Sequence, residues 1–221
     1  MKPINRFIDH TLLKPTATES DIIKLCEEAI KYNFFSVCVN SCFVPLAKKV
    51  LSKSSVKVCT VVGFPLGAME TCSKAYEAKT AIENGADEID MVINIGLLKS
   101  RNYNAVLNDI IKVKEATGDN ILKVILETCD LTKDEIIKAC ELCVEAKANY
   151  VKTSTGFSKG GAQLADVKIM KKTVKDQALI KASGGIRDFE TAKHFIDLGV
   201  QRLGVSAGIA IMNGETSNSD Y

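Results

Sequence analysis

Two short runs, "YVKTST" at residues 150–155 and "LIKASGG" at residues 179–185, share an unusual composition. Each consists mainly of apolar and β-branched residues, which favour strands, and each has one lysine in its interior. A helical pattern, "LADVKIMKKTVKD" at residues 164–176, lies between them. This order of strand, helix and strand predicts a parallel βαβ unit. Because an unpaired buried ammonium is costly, the two lysines also require an explanation.

The same alternation of strand and helix runs through the whole chain. Eight strand-like runs lie at 6–11, 35–40, 57–64, 88–94, 122–128, 150–155, 179–185 and 202–208. Several are apolar nearly throughout, which is typical of a parallel sheet buried on both faces. A helical pattern follows each run, and the last is the short region 209–214. Eight βα units predict a TIM (β/α)8 barrel in the α/β class.

The alternative fold is a doubly wound open sheet. Such a sheet usually has fewer strands and a glycine-rich turn after its first strand, and no such turn follows residues 6–11. We therefore expect one barrel domain over residues 1–208. Residues 209–221 are expected to form a short C-terminal helix and a polar, flexible tail.

The composition argues against several classes of protein, including nucleic-acid-binding and membrane proteins. The 221 residues carry a net charge of +2, which is too balanced for non-specific nucleic-acid binding. No apolar run reaches membrane-spanning length and the N-terminus lacks a secretion signal, so we expect a cytoplasmic protein that binds neither membrane nor nucleic acid. The eight cysteines are expected to be buried, reduced thiols, and two distant histidines make a metal site improbable.

Four charged residues interrupt apolar strands near the end where barrel enzymes have their active sites. They are Asp9, Asp90, Lys152 and Lys181. Residues that point into a closed barrel approach one another, so we expect these four to form one cluster. The structural alternative is a mutually neutralised ion-pair network, or lysines that extend to solvent.

A lysine pair of this kind favours Schiff-base chemistry. An amine attacks a carbonyl only when it is unprotonated, and both desolvation and a second cation promote that form. Lys181 is expected to be the second cation beside Lys152. The iminium that forms then acts as an electron sink for breaking a C–C bond, while an aspartate and a water move the protons.

Glycines after the last two strands suggest an anion site. "ASGGIRD" and "LGVSAG" follow strands seven and eight, where TIM barrels often bind phosphate through backbone N–H groups and a helix N-terminus. Gly184, Gly185, Gly204 and Ser206 suit this role. Their structural alternative is the ordinary use of glycine in tight turns.

With these residues in view, the sequence resembles the deoxyribose-phosphate aldolases, a class I aldolase family. The motifs "IDHTLLKP", "SVCVN", "GFPLGA", "DEIDMVIN", "KVILET", "VKTSTGF", "KASGGIR" and "LGVSAG" occur in that family's order over nearly the whole chain. The resemblance implies a TIM barrel that cleaves 2-deoxy-D-ribose 5-phosphate to acetaldehyde and D-glyceraldehyde 3-phosphate, in deoxyribose phosphate catabolism. It implies no metal and no organic cofactor.

The resemblance also implies roles for individual residues. Lys152 matches the Schiff-base lysine, Lys181 the lysine that assists it, and Asp90 the proton-relay aspartate. Asp9 matches the acid that holds the second lysine. The remaining matches are substrate-binding positions, or a possible relay residue in the case of the terminal tyrosine: Thr11, Cys38, Thr155, Gly156, Gly184, Gly185, Gly204, Ser206 and Tyr221.

One departure concerns phosphate binding. Phe157 follows "KTSTG" where longer family members often carry a lysine, so phosphate binding is expected to depend on backbone N–H groups, with Lys159 or Arg187 as candidate cations. The expected ligands are phosphosugar and aldehyde substrates, and a homodimer is the expected assembly.

Two other classes of function remain open at this point. One is a phosphosugar isomerase or metal-dependent aldolase on the same fold, for which the two histidines are a poor ligand set. The other is a non-catalytic phosphosugar-binding barrel. Binding alone would not require an unprotonated lysine, so the lysine pair with Asp90 argues against it.

Overall fold

The protein is a closed parallel β-barrel, described here from a computed structural model for residues 3–217. Eight strands pair in chain order, and β8 returns to β1. Their bounds are β1 Ile8–Leu12, β2 Ser36–Val39, β3 Lys57–Val62, β4 Glu88–Val92, β5 Ile121–Ile125, β6 Tyr150–Lys152, β7 Leu179–Ser183 and β8 Arg202–Val205. The predicted TIM barrel is therefore confirmed.

Helices connect the strands and cover the outside of the barrel. Their bounds are α1 Glu19–Lys31, α2 Val44–Val50, α3 Thr71–Glu83, α4 Ile95–Lys99, α5 Tyr103–Thr117, α6 Lys133–Glu145, α7 Leu164–Val174, α8 Phe189–Asp197 and α9 Gly208–Asn213. The capping signals predicted from sequence are formed at Thr18 and Thr132, each in a reciprocal capping box with the acid three residues later. The sequence analysis missed α4, which the Asn94 side chain caps.

The two faces of each strand differ in character. In β4, Ile89 and Met91 belong to the apolar layer between barrel and helices, while Glu88 and Asp90 face the barrel interior. Alternation of this kind continues around the barrel. The main hydrophobic core therefore lies outside the barrel strands, and the interior holds polar groups beside a smaller apolar cluster of Leu13, Cys38, Cys59 and Val61.

A buried ion pair joins two of the outer helices. Lys74 on α3 donates to Asp109 on α5 over 2.7 Å and to the Val92 carbonyl over 3.0 Å. Its side chain is fully buried, and burial lowers the pKa of its ammonium group. The pair ties α3 and α5 to the end of β4.

All eight cysteines are free thiols, as expected, but they are not all buried. Cys42 and Cys72 are exposed, which corrects the expectation of uniformly buried thiols. Burial raises the pKa of Cys140 to about 12 and that of Cys143 well above its ordinary value, which disfavours the thiolate form of both cysteines in "CELC". Across residues 3–217, no helix combines the length and apolarity needed to cross a membrane.

Candidate active site

Seven charged side chains from six strands meet inside the barrel. In the part of the chain that the structure describes, they are the cations Lys123, Lys152, Lys181 and Arg202 and the carboxylates Asp9, Glu88 and Asp90. Strand register places them together, because Lys152 pairs with Lys181, Lys181 with Arg202, and Asp90 with Lys123. Four positive groups face three negative ones.

The lower part of this network is centred on Arg202. Its Nε donates to Asp9 over 2.6 Å, and its Nη2 donates to Glu88 over 2.5 Å. The guanidinium also stacks on the Phe35 ring, with Cζ 3.5 Å from the ring centroid. Burial opposes its charge, but the two carboxylates outweigh burial and raise the pKa of Arg202. We call the buried ion-paired group of Arg202, Asp9 and Glu88 the ionic floor of the barrel.

Asp90 is the centre of the upper part. Its Oδ2 accepts hydrogen bonds from Lys152 and from Lys181, both at 2.8 Å. Its Oδ1 accepts from Lys123 over 2.9 Å and from the Cys59 thiol over 3.1 Å. Burial alone would raise the pKa of Asp90, but the three ammonium groups hold it well below its ordinary value.

The three lysines differ in how fully they are neutralised. Lys181 lies between Asp9 at 2.6 Å and Asp90 at 2.8 Å, and despite burial these two carboxylates raise its pKa. Lys123 likewise contacts Glu88 and Asp90. Lys152 has Asp90 as its carboxylate partner and, of the three, is the one whose side chain lines a cavity.

That cavity has a volume of about 320 Å³ and opens at the carboxyl ends of the strands. Lys152 lies in its wall, and Lys159 and Arg187 bring positive charge to its rim. The other lining residues belong to the end of β1 and the loops after β6, β7 and β8: Thr11, Leu13, Thr155, Gly156, Ser158, Gly160, Gly161, Ser183, Gly184, Gly185, Ile186, Gly204, Val205 and Ser206.

Two glycines give the cavity its shape. Gly184 has φ +86°, and a Cβ there would lie 2.9 Å from the Gly161 Cα, so the loops after β6 and β7 touch through backbone alone. A Cβ on Gly204 would lie 2.9 Å from the Ser183 Cβ and 3.0 Å from the Lys181 Cε. Glycine at 204 therefore leaves room for the Lys181 side chain beside Asp90.

Of the predicted site residues that the structure describes, eight line this cavity and four do not. Asp90 and Lys181 are fully buried in the charged network beside Lys152. Asp9 and Cys38 are fully buried below it and line no part of it. Asp9 instead contacts Lys181, and Cys38 packs with Leu13, Cys59 and Val61. The remaining predicted residue, Tyr221, lies outside the described residues.

Thr155 lines the cavity, but its hydroxyl is already engaged by protein groups. It donates to the Glu127 carboxylate and accepts from the Phe157 N–H over 3.0 Å. The Phe157 ring packs edge-on against Phe64, with 5.2 Å between centroids. Lys159 is held by Asp130 at 2.9 Å.

The sequence analysis missed four buried residues of this site: Glu88, Lys123, Glu127 and Arg202. Lys123 and Arg202 carried the same signal as Lys152, a cation inside an apolar run, in "LKVILET" and "RLGVSAG". No sequence pattern indicated Glu127, because its partner Thr155 is 28 residues later in the chain.

One group of potential metal ligands occurs within residues 3–217: Cys38, Cys59 and Asp90, whose ligand atoms lie within 4.8 Å of one another. Its surroundings disfavour a cation. Asp90 already accepts from three ammonium groups, and the Lys123 Nζ lies 3.4 Å from the Cys59 sulfur. A divalent ion would have to displace these bound positive charges.

Known proteins of similar sequence and structure identify the family of this chain. A protein called deoxyribose-phosphate aldolase from Finegoldia magna is 62% identical over 211 residues, covering 96% of this chain and 99% of its own. One of the same name from Carboxydothermus hydrogenoformans is 59% identical over 222 residues, covering 99% and 97%. A tetrameric deoxyribose phosphate aldolase structure from Aeropyrum pernix matches with a TM-score of 0.87 at 31% identity, covering 95% and 89%. The model of the DeoC/LacD family aldolases matches residues 5–214, and this chain therefore belongs to that family.

Proposed function

We propose that this chain is a class I aldolase that reversibly cleaves 2-deoxy-D-ribose 5-phosphate into D-glyceraldehyde 3-phosphate and acetaldehyde. The observation that carries the proposal is the position of Lys152. It is the interior lysine that reaches the cavity, and among residues 3–217 its one carboxylate partner is Asp90, which it shares with Lys181. The same reaction is indicated by the names of its close relatives.

The charges of the network support Lys152 as the nucleophile. With all groups ionised, the interior holds one more cation than carboxylates. Lys123, Lys181 and Arg202 each contact two carboxylates, whereas Lys152 contacts one, Asp90, among the described residues. Attack on an aldehyde requires an unprotonated amine, and with Lys152 acting as the nucleophile the three remaining cations face three carboxylates.

The bond changes follow from this arrangement. The Lys152 amine adds to C1 of the open-chain sugar, and loss of water gives the iminium. Removal of the proton from the C3 hydroxyl allows the C2–C3 bond to break, and D-glyceraldehyde 3-phosphate leaves. The electron pair of the C2–C3 bond moves toward the iminium and forms an enamine. Protonation of the enamine and hydrolysis release acetaldehyde. Asp90, 2.8 Å from the Lys152 Nζ, is placed to exchange these protons through water, with Lys181 beside it.

The substrate phosphate is proposed to bind at the cavity wall formed by the loops after β6, β7 and β8. Gly156, Gly184, Gly185, Gly204 and Ser206 line that wall. Backbone N–H groups there, with Lys159 and Arg187 at the rim, supply the positive potential that a phosphate needs. Tyr221 remains a proposed proton donor from the tail.

The proposal is tested by trapping the Schiff base. Borohydride added with acetaldehyde should leave an N-ethyl group on Lys152, mapped by peptide mass spectrometry. Lys152→Met should abolish trapping and turnover. Lys159→Met, which alters the other cavity lysine, should leave trapping intact. Labelling centred on Lys181 or Lys123 would contradict the assignment.

Two accompanying expectations are tested separately. A metal-dependent aldolase would lose activity in a chelator, whereas a Schiff-base enzyme should retain it. We propose a cytoplasmic homo-oligomer, a dimer as predicted from the sequence, although the Aeropyrum pernix relative is described as tetrameric. Light scattering of the purified protein distinguishes the two assemblies.

A further inference from the structure

The loop after β6 carries much of the cavity wall, and the turn after β5 supports it. Five loop residues line the cavity beyond Thr155: Gly156, Ser158, Lys159, Gly160 and Gly161. Asp130 in the β5 turn accepts hydrogen bonds from Ser158 and pairs with Lys159, each at 2.9 Å. A Cβ on Gly160 would lie 2.8 Å from the Cys129 Cβ, so the two segments also pack closely.

Glu127 is the buried contact between these two segments. Glu127 is only 3% exposed. Its carboxylate accepts a hydrogen bond from the Thr155 hydroxyl. The Thr155 N–H also donates to this carboxylate, with the nitrogen 3.2 Å from Oε1 and 3.3 Å from Oε2. The hydroxyl in turn accepts from the Phe157 N–H. Glu127 thus fixes the first residues of the loop immediately after the Lys152 strand.

This carboxylate is maintained at a cost to the fold. The Glu127 backbone is in the left-handed region, with φ 57° and ψ 63°, which is unfavourable for a non-glycine residue. Burial raises the pKa of the Glu127 carboxyl, and its hydrogen bonds to Thr155 oppose that rise only in part. A carboxyl whose pKa is raised on folding lowers stability at neutral pH, and that stability returns only as the pH falls through its folded value. A group with these costs is better explained by the position it gives to Thr155 than by stability.

We propose that Glu127 is a positioning residue for the reaction, which sets the loop of residues 155–161 for binding the phosphorylated end of the substrate. The inference rests on the proposed function, since it assigns that loop to the substrate phosphate. Glu127 acts through Thr155 and does not line the cavity itself. Lys152 is held independently, by the β-ladder to Lys181 and by Asp90.

The test compares Glu127→Gln with the unaltered protein. The KM for 2-deoxyribose 5-phosphate should rise about tenfold, as expected when a buried hydrogen bond to a charged group is weakened, with a smaller change in kcat. Borohydride trapping of acetaldehyde on Lys152 should be unchanged, because acetaldehyde has no phosphate. The melting temperature should be equal or higher, because a buried charge has been removed.

A matched control and a double variant sharpen the result. Glu135→Gln alters another carboxylate that accepts from a threonine N–H, that of Thr132 at 2.8 Å, but it lies on the surface and should leave KM unchanged. Thr155→Val should raise KM as Glu127→Gln does, whereas Thr155→Ser, which keeps the hydroxyl, should have the KM of the unaltered protein. The double variant Glu127→Gln/Thr155→Val should have a KM no higher than the higher of the two single variants.

The outcomes separate the two proposals. If the unaltered protein neither traps acetaldehyde nor cleaves the sugar phosphate, the proposed function fails. If it does both and Glu127→Gln has the same KM, the role of Glu127 is wrong. Equal losses of trapping, kcat and melting temperature in Glu127→Gln would also overturn the positioning role, because they indicate a purely structural one.

Discussion

A single carboxylate, that of Asp90, determines where three lysines lie in this barrel. Its two oxygens accept from Lys123, Lys152 and Lys181 at 2.8–2.9 Å. The three ammonium groups hold the pKa of its carboxyl well below the ordinary value and so favour its ionised form. Lys152, the proposed nucleophile, therefore lies beside a buried carboxylate.

Asp90→Asn should reduce kcat by at least about a hundredfold, as expected for loss of a general acid–base group. KM should change much less, because the proposed phosphate site lies at the loops after β6, β7 and β8. The measurement is steady-state cleavage, with circular dichroism as the control for folding. A folded Asp90→Asn protein that retains its turnover would remove Asp90 from the proton relay.

How much of the site the sequence predicts depends on the kind of signal each residue carries. Lys152 and Lys181 stand out because a charge interrupts an apolar run, and the barrel geometry then brings them together. Thr155 was recognised from its motif, but the engagement of its hydroxyl by Glu127 was not. Contacts between distant residues leave no periodic pattern, so such positioning groups emerge only from the structure.

At the scale of the elements, the strands were predicted more reliably at their beginnings than at their ends. The run 150–155 was predicted as a strand, yet β6 ends at Lys152 and the next residues form the loop that lines the cavity. These residues keep the β-branched and apolar composition of a strand, so composition alone does not show where the ladder stops. The five-residue helix α4 was missed because it is too short for a periodic pattern.

The contact between the loops after β6 and β7 gives a prediction with a built-in control. Gly184→Ala and Gly185→Ala both place a side chain on left-handed backbone, at φ +86° and +77°. Gly184→Ala also drives a methyl group into Gly161, whereas nothing lies within 4 Å of a Cβ on Gly185. We expect Gly184→Ala to raise KM on the order of tenfold more than Gly185→Ala, because it shifts the cavity wall. Equal effects in steady-state kinetics would show that backbone strain alone is responsible.

The ion pair between α3 and α5 predicts a stability effect away from the site. Lys74→Met leaves the Asp109 carboxylate buried without its cation and should cost about 3–5 kcal/mol of unfolding free energy. Replacing both residues by Met and Leu should cost less. Lys79→Met, which removes an exposed pair with Glu83, should cost under about 1 kcal/mol. Urea unfolding measures all three, and a double variant less stable than Lys74→Met would contradict the argument.

For the whole molecule, the interior charges predict the pH range of stability. Burial opposes the ionised form of Asp9, but Arg202, Lys181 and Lys123 outweigh it and lower the pKa of this carboxyl below its ordinary 3.8. A lowered carboxyl pKa contributes stability that is complete above the ordinary value and is lost as the pH falls below it. The raised pKa of Lys181 has the opposite sign, so its contribution is complete below 10.5 and is lost at higher pH.

The melting temperature should therefore fall steeply below about pH 4 and change little between that point and about pH 10. Scanning calorimetry across this range provides the measurement. Asp9→Asn should be less stable than the unaltered protein at neutral pH, with a weaker dependence on pH in the acid range. A flat profile down to pH 3 would show that the network contributes little to folding.

The ionic floor of the barrel also bears on how the chain folds. Arg202 reaches Asp9 across 193 residues and Glu88 across 114, so the first, fourth and eighth strands must all be present before its charge is matched. A partly assembled barrel would bury unmatched ions, and such intermediates are penalised. We expect one cooperative transition, and residues 1–120 expressed alone should show none. Although the chain is a succession of similar units, its first and last strands share one buried ion-pair network, so we expect that neither half is stable without the other.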